Sequence, residues 1–97
     1  MFKNKKKIEV NDEELRIILY ALNDFRNAVL KENKCADVIS EVISKLKNKM
    51  KLDKYELGVI INGLDRKRKI IIKENKDTSM INNLLLRFLD IAEDLKK

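Results

Sequence analysis

A chain of 97 residues has the length of one domain and can bury roughly 65% of its unfolded surface in a single core, so a second independent core is not expected. Hydrophobic residues at 44% and charged residues at 39%, with two glycines and no proline, suit long helices and disfavour sheets, which need more turn punctuation. The formal charge of +6 favours an anionic contact, and the single cysteine excludes an internal disulfide, so a reducing cytoplasm is the expected location.

Residues 1–9 read as a basic, flexible tail, because short polar termini without packing partners are seldom ordered. Met1-Phe2-Lys3-Asn4-Lys5-Lys6-Lys7 leads into Ile8-Glu9-Val10-Asn11-Asp12, not an apolar run, so no signal peptide is expected. No segment reaches the roughly 20 apolar residues that cross a bilayer, and no membrane partner is expected.

A domain is expected over residues 10–97, built on an internal repeat. Shifted by about 42 residues, Glu14-Leu15, Ile18, Leu22, Arg26, Lys31-Glu32-Asn33-Lys34 and Ile39 fall on Glu56-Leu57, Ile60, Leu64, Arg68, Lys73-Glu74-Asn75-Lys76 and Ile81. The repeats span residues 10–48 and 52–95. In each, an N-cap residue (Asn11, Asp53) precedes a glutamate by three positions (Glu14, Glu56), which is a capping box, and Val10/Leu15 and Leu52/Leu57 supply hydrophobic staples.

The first helix is predicted over 12–32, with Leu15, Ile18, Leu22, Phe25 and Val29 stepping by three and four along its buried face. The repeated Lys-Glu-Asn-Lys puts lysine at the negative end of the helix dipole and asparagine where a left-handed cap is tolerated, so it reads as a helix stop. A second helix is predicted over 36–48, burying Ile39, Val42, Ile43 and Leu46. Its start is weak, because Cys35 stands where the second repeat has Asp77, a far better N-cap acceptor than a thiol.

Residues 49–52 lack glycine and proline, which would permit one continuous rod, but the capping box at Asp53 predicts a break. The third helix is predicted over 54–74 and contains Gly58 and Gly63. Gly63 replaces Ala21, which suggests a close approach of the first and third helices. The fourth, from 77 to 94, buries Ile81, Leu84, Leu85, Phe88 and Ile91 and leaves Met80, Leu86 and Leu89 outside that stripe. Short links between long helices imply an all-α, up-down-up-down four-helix bundle of two duplicated hairpins related by a pseudo-twofold axis.

Catalytic ingredients are scarce: no histidine, no Gly-rich phosphate loop and no nucleophile elbow. Cys35 without a histidine lacks the usual base. No enzymatic activity, catalytic residue, metal, cofactor or small-molecule substrate is therefore expected.

Two surfaces are candidate sites. Met80, Leu86 and Leu89 widen the apolar face of the fourth helix and suit a protein partner or self-association. Arg66, Lys67, Lys69, Lys73 and Lys76 form a basic stripe that could follow phosphates or meet an acidic partner. Against nucleic acid, acidic residues are interleaved and no aromatic stacking group lies in the run. Arg26 and Arg68, duplicated beside the core, are expected to snorkel or to pair with Asp24, Glu41 or Asp90.

The paired pattern Glu-Leu-x-x-Ile-x-x-x-Leu-x-x-x-Arg, followed by Lys-Glu-Asn-Lys, resembles small all-helical proteins of uncharacterised activity common in A+T-rich Gram-positive bacteria and their mobile elements. The likeness covers nearly the whole chain through packing and capping positions and transfers no site. The expected function is a non-enzymatic protein–protein interaction module, of the adaptor or inhibitor kind found in phages and mobile elements. The alternative is a small basic nucleic-acid-binding regulator.

Overall fold

Two of the helices start on the same device. In the computed structural model, which describes residues 5–95, Asn11 Oδ1 accepts the Glu14 N–H at 2.8 Å while Glu14 Oε1 accepts the Asn11 N–H at 3.0 Å, opening α1 (Asp12–Lys31). Asp53 and Glu56 repeat both bonds, at 2.8 and 2.9 Å, to open α3 (Lys54–Lys73). Each satisfies two backbone donors that a helix start leaves without partners.

The same two helices end alike. Asn33 and Asn75 adopt φ of 58° and 57°, and the Lys34 and Lys76 N–H groups donate back to the Val29 and Ile71 carbonyls at 3.1 Å. The repeated Lys-Glu-Asn-Lys is thus a helix stop of the Schellman type, with asparagine tolerating the left-handed position. A third such stop ends α2 (Asp37–Lys47): Lys49 has φ 56° and the Met50 N–H reaches the Lys45 carbonyl at 2.9 Å. Helices α2 and α3 are therefore separate.

The other two starts are weaker. Ala36 precedes α2 with no side-chain cap. Before α4 (Ser79–Asp94), Asp77 Oδ1 accepts both the Ser79 N–H at 3.0 Å and the Ser79 hydroxyl at 2.7 Å, and these bonds hold its carboxyl below the usual range.

The architecture is an all-α four-helix bundle. Helix α3 is its centre, packing along α1 on one side and α4 on another, while α2 rests on α1 and α3. Ile18, Leu22, Val42, Leu57, Ile60, Leu64, Leu84 and Phe88 meet in one core. The hairpins are unequal: α2 has 11 residues against 16 in α4, and α4 packs on α3 more fully than α2 does on α1. At Gly63 an added Cβ would lie 3.1 Å from Leu22 Cδ2 and 3.7 Å from the Ala21 carbonyl oxygen, so α1 and α3 do approach closely there.

One difference from the sequence reading concerns the tail. Lys5–Lys6 form a short strand, β1, antiparallel to β2 (Leu52–Asp53), with Lys5 opposite Asp53 and Lys6 opposite Leu52. Ile8 and Val10 pack against the core, and Arg87 donates to the Glu9 carbonyl at 2.9 Å. From Lys5 onward the basic segment has partners, because main-chain pairing is indifferent to the lysine side chains. Residues 1–4 of the expected flexible tail lie outside the described residues. Among the described residues no helix is long and apolar enough to cross a membrane.

Candidate functional site

A concavity of about 840 Å³ lies where the end of α1 and the start of α2 face the first half of α3. Phe25 and Val29 come from α1, Val38 and Ile39 from α2, and Tyr55 and Val59 from α3. The i, i+4 spacing of Phe25/Val29 and Tyr55/Val59 sets each pair on one helix face, and the Asn33 stop turns the chain so that α2 closes the end. Gly58 forms part of the lining, and a Cβ built on it would meet nothing within 4 Å. An uncompensated glycine inside a helix costs about 1 kcal/mol relative to alanine, and here it leaves backbone open to the groove.

The walls are mostly apolar, with Asp53, Lys54 and Asn62 as polar members. The Arg66 guanidinium sits 5.3 Å from the Phe25 ring centroid, a cation–π contact worth about 0.5–1 kcal/mol at an exposed site. Asp53, also in the lining, is committed to the α3 cap.

A second, smaller cavity of about 400 Å³ is lined by Ile17, Tyr20, Lys67, Ile71, Asp77, Met80 and Ile81. On the 42-residue shift, all seven fall on residues that line the large groove: Val59, Asn62, Phe25, Val29, Cys35, Val38 and Ile39. The duplication has therefore written the concavity twice. The copies differ in what fills them: Tyr20 stands for Asn62, Lys67 for Phe25 and Asp77 for Cys35, while Arg16 stands for Gly58. Lys67 is further held to Asp24 of α1 at 2.7 Å. One copy is wide and apolar; the other is narrowed and charged.

The candidate residues on α4 do not form one face. Met80, Leu86 and Leu89 are 42%, 62% and 49% exposed. At 3.6 residues per turn, however, Met80 lies about 120° from Leu86 and about 180° from Leu89 around the axis. Met80 lines the smaller cavity, whereas Leu86 and Leu89 form an outward ridge. The three residues had been grouped by their absence from the core stripe, which is not the same as sharing a surface.

The basic stripe is largely engaged within the chain. Arg66 covers Phe25, Lys67 pairs with Asp24, Lys69 with Asp65 at 3.2 Å, and Lys76 with Glu74 at 3.5 Å. Among the described residues only Lys73 of this set shows no such partner. The arginines also choose local partners: Arg26 donates to Asn23 Oδ1 at 3.1 Å and Arg68 lies 3.6 Å from Asp65. Of the expected partners, Asp24 is taken by Lys67 and Glu41 lies 3.6 Å from Lys45.

Two residues named in the sequence do more than the sequence shows. Glu56, 6% exposed, completes the α3 cap with Oε1 and accepts Lys45 Nζ with Oε2. That hydrogen bond is the main reason the Lys45 pKa is raised, helped by the charge of Glu56 and by Glu41. The pair ties α2 to α3 and is structural. Gly58 is the other: it reads as a helix liability in sequence, and only the fold shows what it faces.

Among the described residues no group of three or more His, Cys, Asp or Glu is placed to hold a metal ion. The fold and the groove together define a four-helix bundle that presents a largely apolar cleft. No protein-family model matches the chain, and no curated protein or solved structure matches it.

Proposed function

We propose that the protein is a non-enzymatic helical protein–protein interaction module that seats an apolar, acid-flanked helical segment of a protein partner in the groove beside Gly58. The observation that supports this is a wide, largely apolar cleft in whose lining Gly58 of α3 carries no side chain. Helix-in-groove recognition lays the apolar face of a helix into a hydrophobic groove, and a glycine in the floor lets the guest come close. Lys54 in the lining suits an acidic flank, and the net charge of +6 steers acidic partners toward the molecule. The reading suits a cytoplasmic adaptor or inhibitor of the phage or mobile-element kind, which works by occupying its partner.

The single cysteine, exposed and in the groove lining, allows a direct test. A benzophenone attached to Cys35 and irradiated in nuclease-treated native extract should give protein adducts. The same probe on Ser44→Cys, exposed on α2 and outside the groove lining, in a Cys35→Ser background, should give few. Equal labelling from both positions, or none from Cys35, counts against the groove.

A further inference from the structure

We infer that the segment seated in the groove is the Leu86–Leu89 ridge of a second copy of this chain, an inference that rests on the docking reading above and names its occupant. Leu86 and Leu89 sit one turn apart and are 62% and 49% exposed, while Ile81, Leu84, Leu85 and Phe88 are buried. Their repeat counterparts in α2 are Ser44 and Lys47, so the ridge belongs to one hairpin only. The open floor is equally one-sided, since the counterpart of Gly58 is Arg16. Each chain thus carries one knob and one hole, and both arise where the two repeats diverge.

Charge and placement agree with that pairing. Asp90 follows the ridge directly on α4, and Lys54 lines the groove. Leu95, at the end of α4, lines the groove, which puts ridge and groove within about 14 Å of one another along the helix axis at 1.5 Å per residue. A twofold exchange then lets each copy place its ridge in the groove of the other. Such an isologous contact closes on itself, whereas a head-to-tail arrangement would propagate. The charge of +6 on each copy opposes association at long range, so the apolar contact has to carry it.

Sedimentation velocity from micromolar to millimolar concentration tests this on the full chain, with melting curves to confirm that each variant is folded. The wild type should form a discrete dimer. Leu86→Glu/Leu89→Glu, which spoils the ridge, and Gly58→Leu, which fills the groove, should each raise the dissociation constant roughly tenfold or more, as loss of a central anchor does. Mixing the two variants should restore a heterodimer, because the intact groove of one meets the intact ridge of the other. A wild type that stays monomeric, or a dimer insensitive to either variant, overturns the inference. A monomer whose Cys35 probe still labels other proteins would leave the docking reading standing, so the two failures are distinguishable.

Discussion

The two glycines of α3 should respond in opposite senses to the same substitution. Gly58→Ala adds a methyl group that meets nothing within 4 Å, so only the helix preference remains, and that favours alanine by about 0.5–1 kcal/mol. For a domain of this size the gain corresponds to a rise in melting temperature of roughly 2–8 °C. Gly63→Ala gains the same preference but places its Cβ 3.1 Å from Leu22 Cδ2 and 3.6 Å from Phe25 Cδ2. Leu22 is fully buried, so its Cδ2 can give way only by displacing other core atoms. Overpacking of that kind costs about 1–3 kcal/mol, so the net effect should run from near zero to about 2 kcal/mol of destabilisation. Calorimetry and urea titration of the two variants beside the wild type measure both signs. A destabilised Gly58→Ala would mean that something packs on that face of the folded chain. A clearly stabilised Gly63→Ala would refute the close approach of α1 and α3.

Three further outcomes follow from the polar contacts. Glu14→Ala and Glu56→Ala each remove the reciprocal half of a capping box, worth about 0.5–2 kcal/mol; Glu56→Ala should cost more in a urea titration, because it also strips Lys45 of its buried carboxylate. Lys45 has a raised pKa in the fold, so its contribution is complete below 10.5 and is lost as pH rises through the higher folded value. Lys45→Met should therefore lower the melting temperature at neutral pH and flatten its alkaline decline. Asp77 has the opposite sense: its contribution is present above 3.8 and lost as pH falls through the depressed folded value, so Asp77→Asn should soften the acid limb of the melting profile. Finally, generic duplex DNA and RNA should bind weakly if at all in a low-salt titration, given that Arg66, Lys67, Lys69 and Lys76 already face groups of this chain. Tight binding with a steep salt slope would reinstate the basic stripe as a nucleic-acid surface.

The caps, stops and core faces of the fold were legible because they are written within a turn or two of the residues that make them. Asn11 and Glu14, or Asn33 and Lys34, need only each other. Partners distant in sequence were not legible. Nothing near Asp24 says that Lys67 will claim it across α1 and α3, and nothing near Glu56 says that Lys45 will. The β1–β2 pairing was hidden for a different reason, since its bonds belong to the main chain and its side chains are exposed lysines on one strand.

The groove shows the same division. The sequence set Cys35 against Asp77, and these two residues line the paired concavities, as do Phe25 and Lys67 on the same shift. It did not show that Gly58 faces open space, because a helix wheel assigns it an angle but not a neighbour. The separation of Met80 from Leu86 and Leu89 was within reach of sequence, as residue spacing alone sets their angles.

Occupancy of the groove can be read most directly at Cys35, the one thiol in the chain and part of the groove lining. The rate at which it is alkylated should fall several-fold as wild-type protein is concentrated from micromolar to millimolar, and should stay constant for Leu86→Glu/Leu89→Glu. A wild-type rate that does not change over that range would contradict a groove filled by a second copy.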